Sequence, residues 1–259
     1  LSAGTARGWQ RFGNLQRRAL TRINWLSAQD TGSLERFRKA GLSAQAEAPV
    51  ADLKALYTPP AMRDCSLDAL PRAKTWLAAS THEGEDEIVL AAHLTARKSE
   101  PDLRLILAPR HPRRADAIET LIRASGLSLA RRSRGEAPLA EVYLADTLGE
   151  MPLFYAAAGR VLVCGSLMAH GGHTPYEPAA FGAAVLHGPH LDNFRAAYAR
   201  LDAAQPARPL PDAPAIAAAL VALADPKAQV EAGARTQGAL APEADARSLV
   251  RMILGGMDG

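Results

Sequence analysis

From residue 75 onward the chain alternates short apolar runs with amphipathic stretches, and that rhythm leaves few folds open. "TWLAAST", "DLRLILAPR", "LSLARRS", "EVYLAD", "RVLVCG" and "AAVLHG" read as strands. "HEGEDEIVLAAHLTARKS", "HPRRADAIETLIRASG", "TLGEMPLFYAAA", "TPYEPAAF" and "LDNFRAAYARL" read as the helices between and after them. Continuously apolar strands are those covered on both faces, and strands alternating with helices build a parallel, doubly wound sheet. The expected fold class is therefore α/β. Residues 213–256 read as two or three further helices.

The first sixty residues have a different character. Trp9, Phe12, Leu15, Ala19, Leu20 and Ile23 recur at helical spacing, with arginines opposite, which predicts an amphipathic helix over 9–23. "INWLSAQ" reads as a short strand, and "TGSLERFRKAG" as a helix capped by Thr31 and stopped by Gly41. The proline-rich "LYTPPAMRDCSLDALPRAK" reads as a linker, so a boundary is placed near residues 57–72. Domains 1–60 and 61–259 follow. Eight cationic residues from Arg7 to Lys39 face only Asp30 and Glu35, a balance suited to nucleic acid, an anionic membrane surface or a phosphorylated substrate. The two cysteines, Cys65 and Cys164, form no metal or disulfide framework, and a reducing compartment is expected. No apolar run is long enough to span a membrane. The sequence opens "LSAGTARGWQRFG", without methionine or a secretory signal, and is expected to be part of a longer chain.

In doubly wound sheets ligands bind beyond the carboxyl ends of the strands. The segments to inspect are therefore Ser80–Gly84, Pro109–His111, Asp146–Glu150, Gly165–Glu177 and His187–His190. Gly165, Gly171 and Gly172 let the backbone turn sharply. Thr174, Pro175 and Glu177 have the spacing of a capping box, and a helix start there would favour an anion. Arg110 can grip a phosphate with two parallel hydrogen bonds. Gly149 and Glu150 mark a tight turn that offers backbone donors. Glu83, Glu85 and Asp86 read as first-turn charges that would repel a phosphate. His170, His173, His187 and His190 form two H-x-x-H pairs, a spacing zinc accepts. Loops rich in glycine and proline hold ligands loosely, so a phosphate-and-ribose cradle is expected in place of a metal site. The Rossmann G-x-G-x-x-G, the Walker A motif and the G-x-S-x-G elbow are missing, which weakens dehydrogenase, nucleoside triphosphatase and hydrolase readings.

Six strings, "LSAGTARGW", "STHEGEDE", "LILAPRHP", "DTLGEMPLFY", "GSLMAHGGHTPYEPAAFG" and "VLHGPHLDNF", stand in an order that resembles the 3-deoxy-D-manno-octulosonic acid (Kdo) transferases of lipopolysaccharide assembly. The resemblance implies the two-domain GT-B glycosyltransferase fold, with the end of the first Rossmann-like domain followed by the whole second one. It implies inverting transfer of Kdo from CMP-Kdo to a lipid A precursor, with no metal, no cofactor and no nucleic-acid partner. It also implies peripheral association with the cytoplasmic face of the bacterial inner membrane. The CMP-binding positions it carries over are Pro109 and Arg110, then Leu148, Gly149 and Glu150, then Thr174, Pro175, Tyr176 and Glu177. Lys54 in "ADLKALY" matches a lysine that stabilises the transition state. The family usually has asparagine at Thr174 and glycine at Cys164. Its catalytic base, an early glutamate of the first domain, has no counterpart in this chain. The competing readings are a nucleotide-sugar epimerase of the same fold and a non-catalytic nucleotide-binding fragment.

Overall fold

The computed structural model describes residues 3–62, 64–204 and 209–242, together with 248, 250, 251, 254 and 255. Contacts divide the chain into two units, Leu1–Tyr57 with Ala241–Gly259, and Thr58–Leu240. The first unit contains helices α1 (Ala3–Trp9), α2 (Gly13–Leu20) and α3 (Thr31–Ala40). The single helix predicted over 9–23 is broken: a 3-10 turn at Gln10–Phe12 intervenes, and Phe12 leaves helical backbone values at φ −112°, ψ 32° just before Gly13. Glycine is a poor helix interior, which suits a break there. Of the predicted apolar stripe, Leu20 is buried, whereas Trp9, Phe12 and Leu15 are 45%, 60% and 64% exposed. Asp30 caps α3 where Thr31 was expected, its carboxylate accepting the Ser33 N–H at 2.6 Å. Gly41, at φ 108°, ends that helix as predicted. "INWLSAQ" contributes a single bridge, Leu26 to Glu47, and no regular strand. Ala28, Leu34, Leu42 and Ala46 form the small core of this unit.

The second unit is a six-stranded parallel sheet wrapped by helices. In chain order its elements are β1 (Thr75–Thr81), α4 (Glu85–Arg97), β2 (Arg104–Pro109), α5 (Ala115–Ala124), β3 (Leu129–Arg131) and β4 (Val142–Leu144). They continue with α6 (Met151–Ala157), β5 (Arg160–Val163), α7 (Tyr176–Ala180), β6 (Ala184–His187), α8 (Arg195–Ala204), α9 (Ala213–Ala222) and α10 (Pro226–Leu240). All six predicted strands are present. The strand order is β3-β4-β2-β1-β5-β6, so β1 is central, with β2 on one side and β5 on the other. The period-two alternation of strand side chains divides β1 between two cores. Trp76 and Ala78 join Leu105, Leu107 and Leu162 in one, and Leu77 and Ala79 join Ile106, Val161 and Val163 in the other. These strand residues are at most 2% exposed, and each large aliphatic among them contributes about 1.5–3 kcal/mol by burial. α9 packs beside α4. The two predicted tail helices are α9 and α10; a third would fall on residues 243–256, most of them outside the described residues. No helix among the described residues is long and apolar enough to cross a membrane.

Candidate functional site

Strand order changes direction at β1: the chain runs from β1 to β2 and onward on one side, then returns to β5 on the other. Ligands of such sheets bind beyond the carboxyl ends of the strands at this switch point, here those of β1 and β5. The β1 side of it is irregular. Pairing with β2 slips between Ala79 and Thr81, and Ser80 at the slip has φ 64°, a left-handed conformation that side-chain-bearing residues rarely adopt.

Glu85 and Asp86, expected to be first-turn charges that repel an anion, do stand in the first turn of α4, but both are fully buried. Glu85 Oε2 accepts the N–H groups of His82 (2.9 Å) and Gly165 (2.8 Å), and Oε1 accepts that of Leu167 (3.0 Å). One carboxylate thus ties the turn after β1 to the turn after β5. Asp86 accepts the Thr81 hydroxyl at 2.6 Å and pairs with Arg114. Burial raises its pKa, and the Thr81 and Arg114 contacts oppose that rise. With both carboxylates committed inward, they do not confront a ligand at the switch point.

Above these groups the histidines converge, though not in the predicted pairs. The His82 ring stacks on His170 (centroids 4.2 Å) and lies beside His173 (5.1 Å), and the Nε2 atoms of His82 and His173 are 2.9 Å apart. One of these nitrogens donates its proton and the other accepts, so the two rings hold complementary tautomers. His111 meets His82 edge-on at 6.2 Å. Burial lowers the pKa of both His82 and His173, the latter to about 4, and the neighbouring imidazoles and Arg110 push the same way. His187 takes no part. It is buried, with Nε2 against Asp202 Oδ1 (2.8 Å) and Nδ1 against the Gly188 carbonyl (2.9 Å). The two H-x-x-H pairs therefore do not assemble, and no group of three or more metal-ligating side chains is poised for an ion among the described residues. Gly165 (φ 69°) is what admits His173, because a Cβ there would stand 2.8 Å from the His173 ring.

The other predicted positions line the same edge of the sheet. Pro109 ends β2 and is buried; Arg110 follows it, with an exposed side chain and its N–H bonded to the Thr81 carbonyl at 3.0 Å. In the turn after β4, Leu148 is 76% exposed and Gly149 has φ 81°. Glu150 is not a free acceptor there. Arg132 grips it through Nε (3.1 Å) and Nη2 (2.6 Å), and the Thr147 hydroxyl bonds it too. Arg132 also holds Asp64 (2.6 Å) and Ser66 (3.0 Å) of the segment leading to β1, and its hydrogen bond lowers the Glu150 pKa. This clamp between distant segments has no sequence signal.

At the start of α7 the capping box forms only in part. Pro175 takes the cap position, Thr174 Oγ1 accepts the Tyr176 N–H at a long 3.4 Å, and the helix is only five residues. Tyr176 is buried, and Thr174 and Glu177 are half-buried. Lys54 belongs to the first unit, in the 3-10 turn Leu53–Leu56, and is exposed. Both cysteines are free, Cys65 exposed and Cys164 buried. An open cleft of about 720 Å³ adjoins the histidines, lined by His82, His111, His170, Arg113, Arg114 and Glu87 among others.

No protein-family model matches the sequence. Curated relatives do: it is 44% identical over 121 residues to a 3-deoxy-D-manno-octulosonic acid transferase of Haemophilus influenzae, covering 46% of this chain and 28% of that protein. The Bordetella pertussis protein of the same name matches at 43% over 155 residues, covering 57% and 36%. The chain spans about a third of the length of these relatives. Among solved structures, the C-terminal CMP-Kdo binding domain of WaaA from Acinetobacter baumannii superposes with a TM-score of 0.61 at 30% identity, covering 66% of this chain and 91% of that domain. The Staphylococcus aureus TarM structure superposes with a TM-score of 0.56 at 10% identity, covering 93% of this chain and 45% of that one, a likeness of fold alone. With nearly the whole of a solved domain matched at that identity, and its sheet of the Rossmann-like GT-B type, the chain belongs to the 3-deoxy-D-manno-octulosonic acid transferase family.

Proposed function

We propose that this chain carries the donor-binding half of an enzyme that transfers Kdo from CMP-Kdo to a lipid A precursor in lipopolysaccharide assembly. The supporting observation is the alignment of Arg110, the Leu148–Glu150 turn and the Thr174–Glu177 segment along the carboxyl edge of one parallel sheet. In this reading, Pro109 and Arg110 receive the nucleotide, the guanidinium gripping its phosphate. The Gly149 turn offers backbone N–H groups, while Glu150 serves the turn by its pairing with Arg132. Thr174, Pro175, Tyr176 and Glu177 meet the ribose. Residues 61–259 form the donor domain and residues 1–60 the end of the acceptor-side domain, where Lys54 stabilises departing negative charge. The general base lies outside these residues. The exposed Trp9, Phe12 and Leu15, interleaved with exposed Arg7, Arg11, Arg17 and Arg18, suit peripheral contact with the anionic cytoplasmic face of the inner membrane.

Calorimetry with CMP, beside a transfer assay using freshly generated CMP-Kdo, tests the reading. Binding at micromolar to millimolar strength without turnover is expected, since the general base and the closure of two domains over the donor are both required for transfer. A charge-assisted contact to phosphate is worth about 1.5–3 kcal/mol, so Arg110→Ala should weaken CMP at least about tenfold and Arg113→Ala should not. Equal effects would remove Arg110 from the site. A preference for uridine nucleotides would favour the epimerase reading.

A further inference from the structure

The imidazole cluster at the switch point is used by none of the roles assigned above. We propose that His82 and His173, with His170 stacked against them and Arg110 at their side, form a site for an oxyanion of the donor, either its phosphate or the carboxylate of its sugar acid. The proposal rests on CMP-Kdo being that donor.

Three features of the geometry carry it. The cluster is built: Glu85 anchors the backbone of His82 and of the Gly165 turn, and Gly165 leaves the space that His173 fills. The rings face an open cleft of about 720 Å³ that His82, His111 and His170 line together with Arg113, Arg114, Glu83 and Glu87. Arg110 bears on both His82 and His173, and the carboxylate that most favours their charged forms, Glu85, has both oxygens committed to backbone donors. Finally, Ser80 sits at the same strand end in a left-handed conformation, at φ 64°, with a hydroxyl that makes no hydrogen bond among the described residues. Strained residues persist where the surrounding structure enforces them, and they gather at ligand sites.

Without a ligand, the paired rings share one proton between facing nitrogens and resist charging. An oxyanion against them accepts their N–H groups and favours the imidazolium form, so binding takes up a proton. The groups facing the pair are His170, His111, Arg110 and Glu85, with Glu83, Glu87, Arg113 and Arg114 lining the cleft beside them.

The test follows the imidazole resonances of the full chain by NMR between pH 4 and 8.5, alone and with inorganic phosphate, cytidine, CMP and CMP-Kdo. The midpoints of His82 and His173 should rise by about one pH unit or more when the oxyanion is bound, as for any group gaining an opposite charge at close range. His187 and His190 should not move. A rise with phosphate and CMP but not cytidine assigns the site to the phosphate, and a rise with CMP-Kdo alone assigns it to the sugar carboxylate. Affinity for the effective ligand should then increase as pH falls from the bound midpoint toward the free one. His173→Gln should flatten that slope and weaken the affinity, leaving only the smaller pH dependence that His82 carries. CMP and CMP-Kdo binding with both midpoints unmoved would overturn the proposal. If no cytidine compound binds but phosphate raises both midpoints, the oxyanion site stands and the donor assignment falls. If nothing binds and nothing moves, both fall.

Discussion

Replacing Glu85 with glutamine should loosen the switch point without altering its outline. The carboxylate accepts three backbone N–H groups at 2.8–3.0 Å, two on Oε2 and one on Oε1. An amide has one accepting oxygen. Placed at Oε2, it keeps the His82 and Gly165 bonds but sets its NH2 against the Leu167 N–H; turned over, it keeps Leu167 and strands the other two. The better orientation orphans one buried N–H, at about 1–3 kcal/mol, and weakens the remaining two bonds by the loss of charge. Relief from burying a charge offsets part of this, leaving a net loss of about 3 kcal/mol. For a unit the size of Thr58–Leu240, that lowers Tm by about 6–12 °C. Thermal unfolding by circular dichroism gives the number. Amide exchange should locate the opening at Gly165 and Leu167. The exposed neighbour Glu83→Gln should stay within about 0.5 kcal/mol of the parent. A Glu85→Gln protein less than about 1 kcal/mol destabilised, or no different from Glu83→Gln, would refute the assignment of Glu85 as the tie between β1 and β5.

At Gly188 an added Cβ would overlap the Ser166 carbonyl, which the backbone cannot easily move, so Gly188→Ala should cost about 1–3 kcal/mol in chemical denaturation. Hydrogen bonds from Ser66 and Arg132 depress the Asp64 pKa from 3.8 to about 2, and Glu150 is lowered by Arg132 as well. Groups depressed on folding add stability above their unfolded pKa and lose it as pH falls through the folded one. Tm measured against pH should therefore drop between about 4 and 2, and Arg132→Gln should flatten that drop. Elemental analysis should find substoichiometric zinc, and a chelator should leave cytidine-nucleotide affinity unchanged. One tight zinc per chain, lost in His173→Gln, would reverse that expectation.

The strands, their helices and the doubly wound class are local properties, and they were legible residue by residue. "TWLAAST" or "RVLVCG" can only be a strand covered on both faces, because the apolar run is too short for a buried helix and ends at turn residues. Strand ends carry loops, so the segments at Arg110, Gly149 and Thr174 could be named from the chain alone. Helix starts were less legible. Asp30 and Thr31 are both capping residues, and the choice between them depended on which backbone turned first.

The partners of the site residues lay beyond any reading of spacing. H-x-x-H at 170–173 and 187–190 has the spacing of a ligand set, yet His187 turns to Asp202 while His82, some ninety residues upstream of His173, supplies the partner ring. Glu85 is the first-turn charge its position suggests, but its bonds to Gly165 and Leu167 lie beyond any local reading. Glu150 reads as part of a tight turn, and nothing in the sequence shows that Arg132 grips it. The neighbours of His173 and Glu85 arrive because β1 lies beside β5, that of Glu150 because β3 pairs with β4, and that of His187 because α8 returns to the end of β6. Local periodicity records which face of one element is buried. It holds no record of which strand will pair with which, and strand order alone brings residues eighty or ninety positions apart within hydrogen-bond distance.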